Sequence, residues 1–142
     1  MNADITDASK VTGHLLLFRN TEWDHGNVPP EDFPQVMERV RTWLQDLERQ
    51  GQMVGAQPLL DGGKVVVKKG GRTVIDGPFN EAKEAIGGYL LLKTESMEEA
   101  LAIAQANPML DYGLVVEVRA TTDMCQSTRR AMQAVASLAG HA

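Results

Sequence analysis

Cysteine is almost absent from this chain: Cys125 is the one thiol in 142 residues, which excludes an internal disulfide and fits a reducing, cytoplasmic setting. Positive charge is also in short supply. The 14 Lys and Arg against 19 Asp and Glu leave a net charge of -5 and a pI near 5.1. Phosphate binding needs clustered cations, so a nucleic-acid surface is not expected, and the pairs Lys68-Lys69 and Arg129-Arg130 are too small to reverse that. No apolar run approaches the roughly 18 residues of a membrane span. The polar start, with Asp4 and Asp7, reads as neither a signal nor a transit peptide. Metal-ligand spacing is missing too. There is no His-x-x-x-His, no cysteine cluster and no acidic run of ligand pattern, so neither a metal nor a cofactor is expected. No glycine loop cradles a phosphate, since Asp61-Gly62-Gly63-Lys64 reads as a hairpin turn. Cys125 falls on a helix with no histidine nearby, where a lone cysteine serves as a small filler. What is present is 43% hydrophobic and 23% charged residues, the composition of one globular domain.

The pattern along the chain alternates between two periodicities. Residues 1–12 read as a flexible segment, and His14 to Arg19 as a first strand. A loop holding Trp23, Asp24 and His25 follows. Phe33, Val36, Met37, Val40, Leu44 and Leu47 then recur at helical spacing, with Glu31 and Asp32 at the positive end and Gly51 at the cap. Met53 to Leu60 and Lys64 to Lys69 are extended runs joined by the Asp61-Gly62-Gly63 turn, and Arg72 to Ile75 continues beyond them. Tyr89 to Lys93 is another strand. Ser96-Met97-Glu98-Glu99 is a capping box opening a second helix, which Asn107-Pro108 closes. Leu114 to Arg119 is the last strand. Met124, Thr128, Ala131, Met132, Val135 and Leu138 define the apolar stripe of a C-terminal helix, leaving Arg129, Arg130 and Gln133 to solvent. This order contains a β-α-β-β-α-β unit, predicting an α+β, ferredoxin-like antiparallel sheet with helices on one face and an extra helix over 121–142.

Three runs, Leu15 to Phe18, Val65 to Val67 and Leu90 to Leu92, are apolar at consecutive positions, so both faces of those strands call for cover. Two helices cover one face. A second copy of the sheet would cover the other, which predicts a homodimer. The competing cover is the C-terminal helix folding back within one chain.

Between two strand-like runs stands Asp76-Gly77-Pro78-Phe79-Asn80-Glu81-Ala82-Lys83-Glu84, followed by Ile86-Gly87-Gly88-Tyr89. A plain hairpin needs only two to five residues there. Together with Ser96, Glu99-Ala100 and Val116-Glu117-Val118-Arg119, this segment resembles the YCII-related, or DGPF, family of small bacterial proteins from about His14 to Arg119. The resemblance implies a ferredoxin-like dimer of the dimeric α+β barrel type, over residues 13–120. Most members of that family have no assigned activity. Some are fused or linked to sigma-factor proteins, and one branch includes an enzyme removing chloride from a chlorinated hydroxyhydroquinone. YCII-type relatives have a proposed His/Asp pair in a cleft. None of His14, His25 and His141 matches it here, and 107–112 lacks the histidine often found before the last strand.

Side-chain alternation supplies the candidate residues. Val115, Glu117 and Arg119 share one face of the last strand, and Leu15, Leu17 and Arg19 one face of the first. The ferredoxin-like order sets these strands side by side, which brings Glu117 or Arg119 near Arg19. Such a group on an apolar face is either a structural ion pair or part of a polar pocket. Asp76 either accepts N–H bonds in its own turn or acts as an acid or base in a cleft. Gly87-Gly88 either lets a ligand or another backbone approach closely or marks a bulge. Tyr89 follows directly. The resulting expectation is a cofactor-independent, enzyme-like protein acting on a small organic molecule, with Asp76, Tyr89 and Glu117 catalytic and Arg19, Trp23 and Arg119 binding substrate. The alternative is a ligand-binding or regulatory module without turnover.

Overall fold

The computed structural model describes residues 10–19, 27–60, 62–76 and 86–140. Among the described residues, six strands and three α-helices follow one another as β1 (Gly13–Arg19), α1 (Phe33–Arg49), β2 (Met53–Pro58), β3 (Val65–Lys69), β4 (Arg72–Asp76), β5 (Ile86–Leu92), α2 (Met97–Gln105), a 3-10 turn (Pro108–Tyr112), β6 (Val115–Thr121) and α3 (Gln126–Ala139). Four strands form an antiparallel sheet in the order β2-β5-β1-β6, and β3 and β4 form a separate two-stranded ribbon. The sheet and the first two helices are the ferredoxin-like β-α-β-β-α-β arrangement. The ribbon is inserted between its second and third strands.

Local chemistry explains where the helices start and stop. Pro34 sits in the first turn of α1, where its missing N–H is no loss. At the other end the Gln52 N–H reaches the Leu47 carbonyl at 2.9 Å and the Gly51 N–H reaches Glu48 at 3.0 Å. This Schellman closure requires a positive φ at its turning residue, and Gly51 has φ of 72°. Half of the expected capping box on α2 is present, and its reciprocal bond is displaced by one residue. The Glu99 N–H donates to Ser96 Oγ at 3.1 Å, and the Glu99 carboxylate accepts from the Glu95 N–H at 3.4 Å.

Both helices cover the inner face of the sheet. Leu16, Leu47, Leu90, Leu92 and Ala104 form one buried cluster, and Val28, Val36, Met109 and Leu114 a second. Full burial of each leucine contributes roughly 2 kcal/mol. Trp43 donates its indole N–H to the Ile103 carbonyl at 3.2 Å, tying α1 to α2. At the end of the sheet a Cβ on Gly13 would lie 2.3 Å from the Leu92 carbonyl oxygen, so only glycine fits there.

Three expectations from the sequence need correction. The run 53–60 does not pair with Lys64 to Lys69. β2 pairs with β5, while β3 turns back onto β4 through Gly70-Gly71. Those two glycines have φ of 56° and 77°, the doubly positive backbone of a tight two-residue hairpin, which outcompetes the other glycine turn signal. Second, Val65 to Val67 are exposed rather than covered on both faces. Third, Arg129 is 2% exposed, whereas Met132, Val135 and Leu138 lie open to solvent. Arg129 donates to Asp123 Oδ1 at 3.2 Å, so the buried side of α3 carries this ion pair rather than the apolar stripe. Met132, Val135 and Leu138 are therefore not the face by which α3 could cover the outer face of the sheet within the chain.

Candidate functional site

The two faces of the sheet offer two different environments. On the inner face, α1 stands off from β2 and β5 over a cavity of about 740 Å³. Its origin is a shortage of side chains beneath the helix. Ala56, Gly87 and Gly88 form the floor, while Met37, Val40, Trp43 and Leu44 of α1 form the roof. Phe18 closes one side, and Asn107, Met109 and Leu114 close the end where the 3-10 turn leads into β6. Asn107 is held in place because its side-chain oxygen accepts the Met109 N–H at 2.9 Å. No charged side chain is among the described residues that line the cavity.

Gly88 has a structural reason for its identity. A Cβ there would lie 3.0 Å from the Gln57 carbonyl and 3.2 Å from the Pro58 Cα. The group that approaches Gly88 closely is therefore the backbone of β2. The register between β1 and β5 also shifts at this point, between Phe18 opposite Gly88 and Arg19 opposite Ile86. The glycine pair thus serves both a close approach and an irregularity in the pairing.

On the outer face, pairing places Tyr89, Leu17 and Glu117 in one row and Leu91, Leu15 and Arg119 in the next. Arg19 reaches the Glu117 carboxylate at 3.6 Å, and Arg119 reaches its other oxygen at 3.8 Å. The carboxylate lies between two guanidinium groups, with Arg19 the more enclosed partner at 26% side-chain exposure against 69% for Arg119. Alternation from Leu90 directs the Tyr89 ring to this outer row, so Tyr89 borders the cavity through its backbone and the charged row through its ring. Asp76 ends β4 opposite Val65. The loop that follows it, like Trp23, His25 and His141, lies outside the described residues.

Two further polar features lie away from both. His14 is buried at the far end of the inner face, its Nδ1 2.7 Å from Thr94 Oγ1. Cys125 stands exposed as the N-cap of α3. Hydrogen bonding to the Ser127 side chain, then to the backbone at Thr128 and Ser127, lowers its thiol to about 7. Among the described residues no group of three or more His, Cys, Asp or Glu is arranged to hold a metal ion. No helix among them is long and apolar enough to cross a membrane.

The family model for the YCII-related domain matches residues 7–122. The chain belongs to the YCII-related family. Among solved structures, this YCII-related chain is similar to 5-chloro-2-hydroxyhydroquinone dehydrochlorinase (TftG) from Burkholderia phenoliruptrix AC1100, determined in complex with 2,5-dihydroxybenzoquinone. The two share 17% identity over 77% of this chain and 93% of that one, with a TM-score of 0.40. A search of the curated proteins finds none that matches.

Sequence reasoning reached the outer row through strand alternation but did not reach the cavity. Trp43 and Met109 carry no motif. The available signal was Trp43 continuing the apolar face of α1, seven residues after Val36, above a strand whose residues at 87 and 88 are both glycine.

Proposed function

We infer that this YCII-related chain binds a small, neutral organic molecule in the cavity beneath α1. The cavity carries the reading. At about 740 Å³ it falls within the range of roughly 300–1,000 Å³ usual for small-ligand sites. Its described walls are mainly aromatic, thioether and aliphatic, with Gln57 and Asn107 as uncharged polar groups, and burying a charge against them would be costly. The test uses the neutral fluorescent probe N-phenyl-1-naphthylamine beside the anionic 8-anilinonaphthalene-1-sulfonate. The neutral probe should saturate at one site per chain and bind more tightly than the anionic one. Val40→Trp, which fills the cavity, should weaken it by about tenfold or more with the circular dichroism spectrum unchanged. Absence of saturable binding, or binding indifferent to the tryptophan, overturns the reading.

A second reading keeps Asp76, Tyr89 and Glu117 as acid and base groups and Arg19, Trp23 and Arg119 as substrate contacts; of these Tyr89, Glu117, Arg19 and Arg119 stand on the sheet's outer face. The observation favouring it is the Glu117 carboxylate set between two arginines, a site where binding of an anion by either arginine would release the carboxylate. Ligands found by thermal shift provide the compounds to assay. Glu117→Gln should abolish turnover of any active compound without changing probe binding in the cavity, and an unchanged kcat would sink this reading.

The outer rows also support self-association. Leu15, Leu17, Tyr89 and Leu91 are half-buried there in the single chain. Pairing two such faces about a two-fold axis removes them from water and gives the dimeric α+β barrel. Light scattering should report twice the chain mass of 15.5 kDa, and Leu17→Asp should return it to one.

A further inference from the structure

The β3–β4 ribbon projects from the body, its strands pairing only with each other. A two-stranded ribbon alone in water is marginal, yet this one exposes the cross-strand pair Val66 and Ile75 at 64% and 63%. Toward its tip it carries Lys68, Lys69 and Arg72, with Lys64 at its base, in a chain whose net charge is -5. The opposite combination occurs on α2. From Thr94 to Val118 there is no lysine or arginine, while Glu95, Glu98, Glu99, Asp111 and Glu117 fall in that stretch. On the exposed side of α2, Met97 and Leu101 stand one turn apart beside Glu98. The ribbon and α2 of one chain do not pack on each other.

We propose that the ribbon of one chain docks on α2 of a second copy, with Val66 and Ile75 against Met97 and Leu101 and the cationic tip beside Glu95 and Glu98. A two-fold arrangement uses each surface twice, once as arm and once as receiver. Opposite charge sets the register, and the apolar pairs supply burial. A phosphate backbone would engage the lysines but leave Val66 and Ile75 in water, so a second copy satisfies both halves of the ribbon.

A reciprocal charge swap tests the assignment. The arm variant carries Lys68→Glu, Lys69→Glu and Arg72→Glu, and the receiver variant carries Glu95→Lys and Glu98→Lys, all at exposed positions. Each alone should weaken self-association measured by sedimentation by about tenfold or more. Mixing the two variants should restore association, because each supplies what the other lacks. Combining all five changes in one chain should also restore it. The proposal is overturned if the arm variant associates as wild type does, if the mixture associates no better than either variant alone, or if wild type is monomeric. It is equally overturned if the arm variant loses binding to a duplex DNA oligonucleotide while its assembly is untouched. Dissociation by Leu17→Asp with no effect of the arm charges would leave the sheet-face dimer standing and remove the arm from it.

Discussion

Cys125 and Ser127 lie at the first turn of α3, with Sγ 3.0 Å from the Ser127 hydroxyl. The hydroxyl and the nearby backbone N–H groups stabilise the thiolate, which lowers the thiol from 9.0 to about 7. Alkylation by iodoacetamide should therefore follow a titration with its midpoint near pH 7. Ser127→Ala should move that midpoint upward, and an unchanged midpoint would assign the shift to the backbone alone. The thiolate is favoured only in the folded chain, so this contribution to stability grows as pH rises from about 7 toward 9 and is lost below that window. Gly13 makes the firmest steric case. Its substitution by alanine drives a Cβ to 2.3 Å from the Leu92 carbonyl oxygen, and thermal unfolding should show a loss of about 2 kcal/mol or more. Alternation along two adjacent strands made Glu117 or Arg119 legible as a neighbour of Arg19, and the ion pair falls to Glu117. Arg129 was not legible. A cation at an apparently solvent-facing helical position is read as exposed, whereas Arg129 is buried and paired with Asp123.

Among the elements, those with local signals were read most directly. The apolar spacing of α1 and the capping box of α2 are written within one or two turns of chain. The pairing of β2 was not, because two glycine turns compete at 62–63 and 70–71, and long-range pairing with β5 decides between them. For α3 the burial pattern gives an outcome opposite to the one its apolar stripe predicts. Val135→Asp should cost the single chain little stability, since Val135 is 66% exposed. Arg129→Ala should cost about 1–3 kcal/mol, because it removes a buried, ion-paired side chain. Urea unfolding of the two variants compares them directly, and equal midpoints would place α3 outside the cooperative unit. Trp43→Phe removes the bond to the Ile103 carbonyl and should cost about 1 kcal/mol.

At the scale of the whole molecule, the cavity is a property of the assembly of parts rather than of any motif. It exists because a helix roofed by Trp43 crosses a floor of Ala56, Gly87 and Gly88. Gly88→Val should crowd Gln57 and Pro58 as well as the cavity floor, reducing both ligand binding and stability. The central strand has a further consequence for how the chain acquires its structure. β1 is made before both of its partners, pairing on one side with β5 and on the other with β6, and the His14–Thr94 bond joins positions 80 residues apart. Nascent β1 therefore leaves the ribosome with both hydrogen-bonding edges open and must wait for most of the polypeptide to follow. A chain truncated before β5 has no sheet to join. Vectorial synthesis thus favours late, concerted collapse, and ribosome-bound fragments ending near residue 80 should remain protease-sensitive while those extending past β6 become resistant.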